Sequence, residues 1–196
     1  MSSRTAQAVR DPLDTERARV FSLLGRLLAA APDAALLQGL AGLGGDASPL
    51  GRAIARLAAA ARATDATAAR REYLALFVGV ARGELLPYAS YYLTGFLHER
   101  PLAELRTELA RLGIARAPGV AEPEDHLAFC CEAMAGLLEG RFDGDADAFL
   151  ARHLKPWAGR CFADLEAAEA AQFYRAVGAF GRTVMDIETA AAEMAA

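Results

Sequence analysis

The sequence predicts an all-α protein, a single-domain bundle of roughly eight to ten helices with a hinge loop near residues 140–145. Three observations carry this. Apolar residues recur at the i, i+3, i+4, i+7 spacing of amphipathic helices in one segment after another. No sustained period-two run of Val, Ile, Thr and aromatic residues supplies a strand. The 196 residues, 54% apolar and 23% charged, suit one continuous core, so the chain is read as one domain, 1–196.

Val20, Leu23, Leu24, Leu27 and Leu28 place the first helix from Leu13 to Ala31, and Pro32 with Asp33 punctuates it. A short helix through Leu36 to Leu40 leads into the glycines at 42, 44 and 45, and Ile54 and Leu57 anchor the next helix. Thr64 or Asp65 caps a helix whose stripe is Tyr73, Leu76, Phe77 and Val80. Pro87 interrupts GELLPYASYYLTGF, Ser90 caps a fresh helix, and Pro101 opens one carrying Leu102, Leu105, Leu109 and Leu112. After the linker IARAPGVAEPEDH, the next helix has Pro123 in its first turn, with Glu124 and Asp125 against its N-terminal dipole. Gly140 to Asp145 forms the hinge loop. Pro156 then breaks a helix that starts at Phe149, and the last helix carries Phe173, Val177, Phe180, Val184 and Ile187.

A net charge of −4, from 21 basic and 25 acidic residues, argues against wrapping DNA or RNA and favours a cationic partner. The N-terminus, MSSRTAQAVRDPLDTERARV, has no apolar core of a secretory signal, which predicts a cytoplasmic protein. The longest uncharged run, Leu85 to Leu97, has only about half the ~20 residues of a membrane span. Cys130, Cys131 and Cys161 form no CxxC pair and read as reduced thiols packed as small hydrophobes.

Two segments stand out for chemistry. Glu84, Pro87, Tyr88, Ser90, Tyr91 and Tyr92 put polar-tipped aromatics into an apolar stretch, which fits a peptide groove or a kinked core helix. From Ala117 to Glu139 there is no Lys or Arg, so Glu122, Asp125 and Glu132 form an acidic stretch. Asp125 and Glu132, seven apart, are expected to share an exposed helix face, as a meeting place for an arginine pair or a solvated surface. His126 beside Asp125 also fits a hydrolase, but no third metal ligand is spaced near them, and P-loop, dinucleotide and nucleophile-elbow motifs are lacking. No catalytic residue, metal or cofactor is therefore assigned.

Three segments, in this order, resemble the TorD/DmsD (NarJ-like) family of redox-enzyme maturation chaperones. Glu84, Pro87, Ser90 and Tyr91 match its Glu…Pro-x-x-Ser-x-Tyr pattern. Pro123, Asp125, His126, Glu132 and Met134 match its Pro-x-Asp-His…Glu-x-Met pattern, the more specific of the two. Phe149, His153, Leu154, Pro156 and Trp157 match its His-Leu-x-Pro-Trp segment. One departure is Tyr88, where several relatives carry Trp or Cys, which points to a pocket shaped to its own client. The resemblance implies a non-enzymatic chaperone that binds the twin-arginine signal peptide of a molybdoenzyme subunit and supports cofactor insertion before export. Its overall pattern looks most like members that serve formate dehydrogenase. The hinge then allows a monomer or a domain-swapped dimer. Tyr73, Leu76, Phe77, Tyr88 and Tyr92 would form the apolar groove, beside Pro87 and Ser90. Asp125, Glu132, Glu84 and Glu122 would face the arginines, and His126 would fix Asp125 or contact the peptide backbone. Two other readings stay open: a helical ligand-binding or regulatory domain without a peptide client, and a hydrolase using Asp125 and His126.

Overall fold

In a computed structural model, described over residues 11–117, 119 and 121–195, ten α-helices and one π-helical turn succeed one another, and no strand occurs among the described residues. Helix α1 (Pro12–Ala29) begins on Asp11, whose carboxylate accepts from the Leu13 amide at 2.9 Å. It ends before the expected Ala31, because Pro32 disfavours helical geometry in the residue before it and the backbone is already extended at Ala30. Asp33, Ser48 and Asp65 cap α2 (Ala34–Ala41), α3 (Pro49–Arg62) and α4 (Ala66–Tyr73). Each side chain accepts an amide that the first turn leaves without an intrahelical partner.

The stripe expected from Tyr73 to Val80 is broken by geometry. After α4 the chain widens into a π-helical turn, Leu74–Val78, closed by the Gly79 amide on the Leu74 carbonyl. Gly79 has φ +64, which a side chain resists. The wider turn shifts the later residues out of the α-helical phase, so Leu76 is buried while Val80 stands fully in solvent.

Short α5 (Ala89–Thr94) and α6 (Arg100–Arg111) lead to α7 (Leu127–Leu138), the central helix. Every α7 residue except Phe129 and Glu132 is buried, the pattern of a helix enclosed on nearly all sides. It packs along α1, whose Phe21, Leu24, Leu27 and Leu28 fill the core. Helix α8 (Ala146–His153) comes after the loop at 140–145, and α10 (Phe173–Ala195) packs against α9 (Ala158–Ala167) and α3.

Polar side chains fasten the ends of the chain to its middle. The Glu72 carboxylate accepts from the amides of Gln172, Phe173 and Tyr174 at 2.9 to 3.1 Å, capping α10 from a distant part of the chain. Arg17 donates to Glu188 through two nitrogens, at 3.0 and 2.8 Å, and to Asp147 at 2.7 Å, joining α1, α10 and α8.

The α9–α10 contact is close because Gly181 presents no side chain to Phe162, and a Cβ there would overlap the Phe162 ring. Gly181→Ala is expected to destabilise the protein by about 1–3 kcal/mol despite the better helix propensity of Ala. Chemical denaturation monitored by circular dichroism measures this, and an unchanged midpoint contradicts the packing described.

Candidate functional site

The two motif segments meet across a two-residue antiparallel bridge between Tyr88 and His126. The Leu127 amide donates to the Pro87 carbonyl at 2.8 Å, and the Ala89 amide to the Asp125 carbonyl at 2.9 Å. Asp125 is 1% exposed. Its carboxylate accepts from the Ser90 amide at 2.9 Å and from the Ser90 hydroxyl, capping α5 from another part of the chain. Ser90 is thus the donor to the cap and not the cap itself.

Helix α7 starts at Leu127, four residues after the position expected from Pro123. Its cap is His126, whose Nδ1 accepts from the Ala128 amide at 3.1 Å and so leaves the proton of a neutral ring on Nε2. Two expectations are corrected. Asp125 lies outside the helix and shares no helix face with Glu132, and neither Asp125 nor His126 is exposed. Burial lowers the His126 pKa, against the opposing pull of Glu122 and Asp125.

Beside this junction lies a groove of about 580 Å³. It runs along α7 from His126 to Phe142, whose ring lies over Gly136, a length of roughly 15 Å at the helical rise. Tyr73, Ile114, Phe129 and Phe142 give it apolar walls, while Ala29, Ala128 and Ala133 keep it open. Glu122 and Glu132 supply carboxylates and Arg116 and Arg141 supply cations. Glu132 is exposed above Gly25 of α1, where a Cβ would stand 3.0 Å from its Cγ, and it makes no ion pair among the described residues. Glu122 accepts from the Tyr88 hydroxyl. Burial, and then this carboxylate, pushes the Tyr88 phenol pKa upward.

The groove therefore gathers Tyr73, Glu122, His126 and Glu132, and Tyr88, outside its lining, contacts Glu122 and His126. The other expected residues lie elsewhere. Leu76, Pro87, Ser90 and Asp125 are buried and do not line it. Phe77 is half-buried between the rings of Tyr73 and Tyr174, at 5.1 and 5.5 Å. Tyr92 turns to α9, where its hydroxyl donates to Asp164 at 2.7 Å and its ring lies 5.7 Å from Trp157. Glu84 accepts from the amides of Glu169 and Ala170 at 2.6 and 3.1 Å, so its carboxylate holds the α9–α10 connection and faces no incoming arginine. Sequence reasoning missed Phe129, Phe142 and Ile114. Phe129 carried a signal, being a large apolar residue off the stripe of Leu127, Cys131, Met134 and Leu138.

Among the described residues no three His, Cys, Asp or Glu side chains are grouped to hold a metal ion. All three cysteines are buried free thiols, and burial pushes Cys161 up to about 12. No described helix is long and apolar enough to cross a membrane.

A family model described as the nitrate reductase delta subunit matches residues 44–163, which include both bridged motif segments. The chain belongs to this delta-subunit family. It is the TorD/NarJ group of maturation chaperones that the Pro123 to Met134 motif resembles. A crystal structure described as that of a redox enzyme maturation protein from Archaeoglobus fulgidus shares the fold. It aligns with a TM-score of 0.55 and 17% identity, over 93% of this chain and 99% of that one. No curated protein matches the chain by sequence.

The burial of Asp125 and His126 has measurable effects on stability. Asp125→Ala leaves the Ser90 amide and hydroxyl unpaired and is expected to cost about 1–3 kcal/mol, read as a lowered denaturation midpoint; a wild-type melt would mean that Asp125 is free. A pH dependence is expected as well. His126 and His153 are both buried, with pKa lowered chiefly by burial, so the unfolded chain binds more protons below the ordinary imidazole value of about 6.5. Their stability contribution is complete above that value and is lost as pH falls through the lowered, folded values. Denaturant midpoints should fall from about pH 7 to about pH 5, and His126→Gln should make the slope shallower.

Proposed function

We propose that the chain is a chaperone that holds the twin-arginine signal peptide of a molybdoenzyme subunit in the α7 groove, supporting cofactor insertion before export. The observation that carries this reading is the combination in one groove of an apolar lining and the carboxylates of Glu122 and Glu132. A signal peptide has the complementary pair of features, basic residues and then an apolar segment. Burial of that segment against Phe129, Ile114 and Phe142 supplies most of the binding free energy, at about 25 cal/mol per Å² of apolar surface before the costs of association. The carboxylates add selectivity and a salt-dependent attraction.

Membership of the delta-subunit family supports the chaperone role. A formate dehydrogenase subunit is the client that the overall sequence pattern favours. The hydrolase reading has less support, because Asp125 and His126 do not face each other as a dyad. The carboxylate binds Ser90, and the imidazole Nδ1 is engaged as a helix cap.

Calorimetry with a synthetic twin-arginine peptide tests the reading. Deleting the apolar segment should weaken binding more than replacing both arginines with glutamine, and Phe129→Ser should abolish measurable binding while leaving secondary structure intact. Equal affinity for the shortened peptide, or wild-type affinity in Phe129→Ser, would place the peptide on another surface.

A further inference from the structure

We propose that Glu122, Tyr88, Tyr73 and His126 form a guanidinium pocket at the head of the groove, which takes one arginine side chain of the bound peptide in preference to a lysine. This rests on the peptide-binding reading and assigns one subsite within it. Of the four carboxylates expected to face arginines, Asp125 and Glu84 are engaged on the protein's own donors, which leaves Glu122 and Glu132.

Glu122 differs from Glu132 in its surroundings. The Tyr88 hydroxyl donates to its Oε1, holding the carboxylate in place, and no described residue donates to Oε2. The Tyr88 and His126 rings stand 5.1 Å apart at 79°, forming a corner with one ring turned edge-on to the other. Tyr73 lines the same end of the groove, and its hydroxyl is fixed by donation to the Ala29 carbonyl at 2.9 Å. The Arg116 guanidinium is directed to the carbonyls of Ala121 and Glu122, and among the described residues the Glu122 carboxylate makes no ion pair. The neutral His126 ring adds no competing charge, because its Nδ1 accepts the Ala128 amide.

Flat ring walls around a fixed carboxylate suit a planar cation that stacks while its N–H groups donate. The ammonium of lysine is compact and more strongly hydrated, and gains less from such walls. The pocket also sets a direction. It lies where α7 begins, so the apolar residues beyond the arginine run along α7 toward Phe142.

The test compares two synthetic peptides, identical except for an Arg-Arg or a Lys-Lys pair before the apolar segment, against wild type, Glu122→Gln and Glu132→Gln. Wild type should favour the arginine peptide by roughly tenfold. Glu122→Gln should remove most of that preference, and Glu132→Gln should weaken both peptides alike and keep the ratio. Tyr88→Phe, which keeps the ring but frees the carboxylate, should lower the preference partway. An Arg-to-Lys ratio unchanged in Glu122→Gln, or no preference in wild type, overturns the pocket while leaving peptide binding standing. Failure of wild type to bind either peptide defeats the peptide reading itself. Glu122 is exposed, so its replacement by Gln leaves the fold intact, and a thermal melt of each variant verifies this.

Discussion

The contact on which the rest depends is the buried Asp125 carboxylate holding the Ser90 amide and hydroxyl. A charge with 1% exposure is tolerated only where donors replace its water. Here they come from the first turn of a six-residue helix too short to be stable alone. The bridge between Tyr88 and His126 continues the same junction. Together they fix where α7 begins, and hence the positions of His126, Glu122 and Tyr88 at the groove. The Pro-x-Asp-His motif is therefore structural at Asp and faces the groove at His.

Helix α7 explains why a groove exists at all. A helix enclosed by α1, α8 and the loops around it would normally be covered completely. Here small residues at 29, 128 and 133 leave a trough, and Phe129 and Glu132 are the two α7 side chains that reach water. The trough is apolar along its walls and charged at its rim, so an amphipathic chain fits it better than a small polar metabolite.

The helices, the single core and the family were legible because apolar periodicity and three ordered motifs are local in sequence. The site was legible only in part. Asp125 and Glu84 looked like free acids because their partners, Ser90 and the amides of residues 169 and 170, lie 35 and 85 or more residues away. Leu76 and Val80 differ in burial because a π-helical turn adds a residue that a 3.6-residue period does not register. Ala133 and Ala29 matter by being small, and in a chain this rich in alanine nothing marks them.

The distant capping of α10 also bears on the order of folding. Glu72 reaches residues 172 to 174, Glu84 reaches 169 and 170, and Arg17 reaches Glu188. Each link closes a long loop of the chain, an entropic cost that comes before any return from the contact. During synthesis the acceptors Glu72 and Glu84 emerge long before their amides, and the first amides of α10 are capped by Glu72, 100 or more residues away. Helix α10 is thus the last of the described helices to dock, and the bundle closes only once α10 has been made.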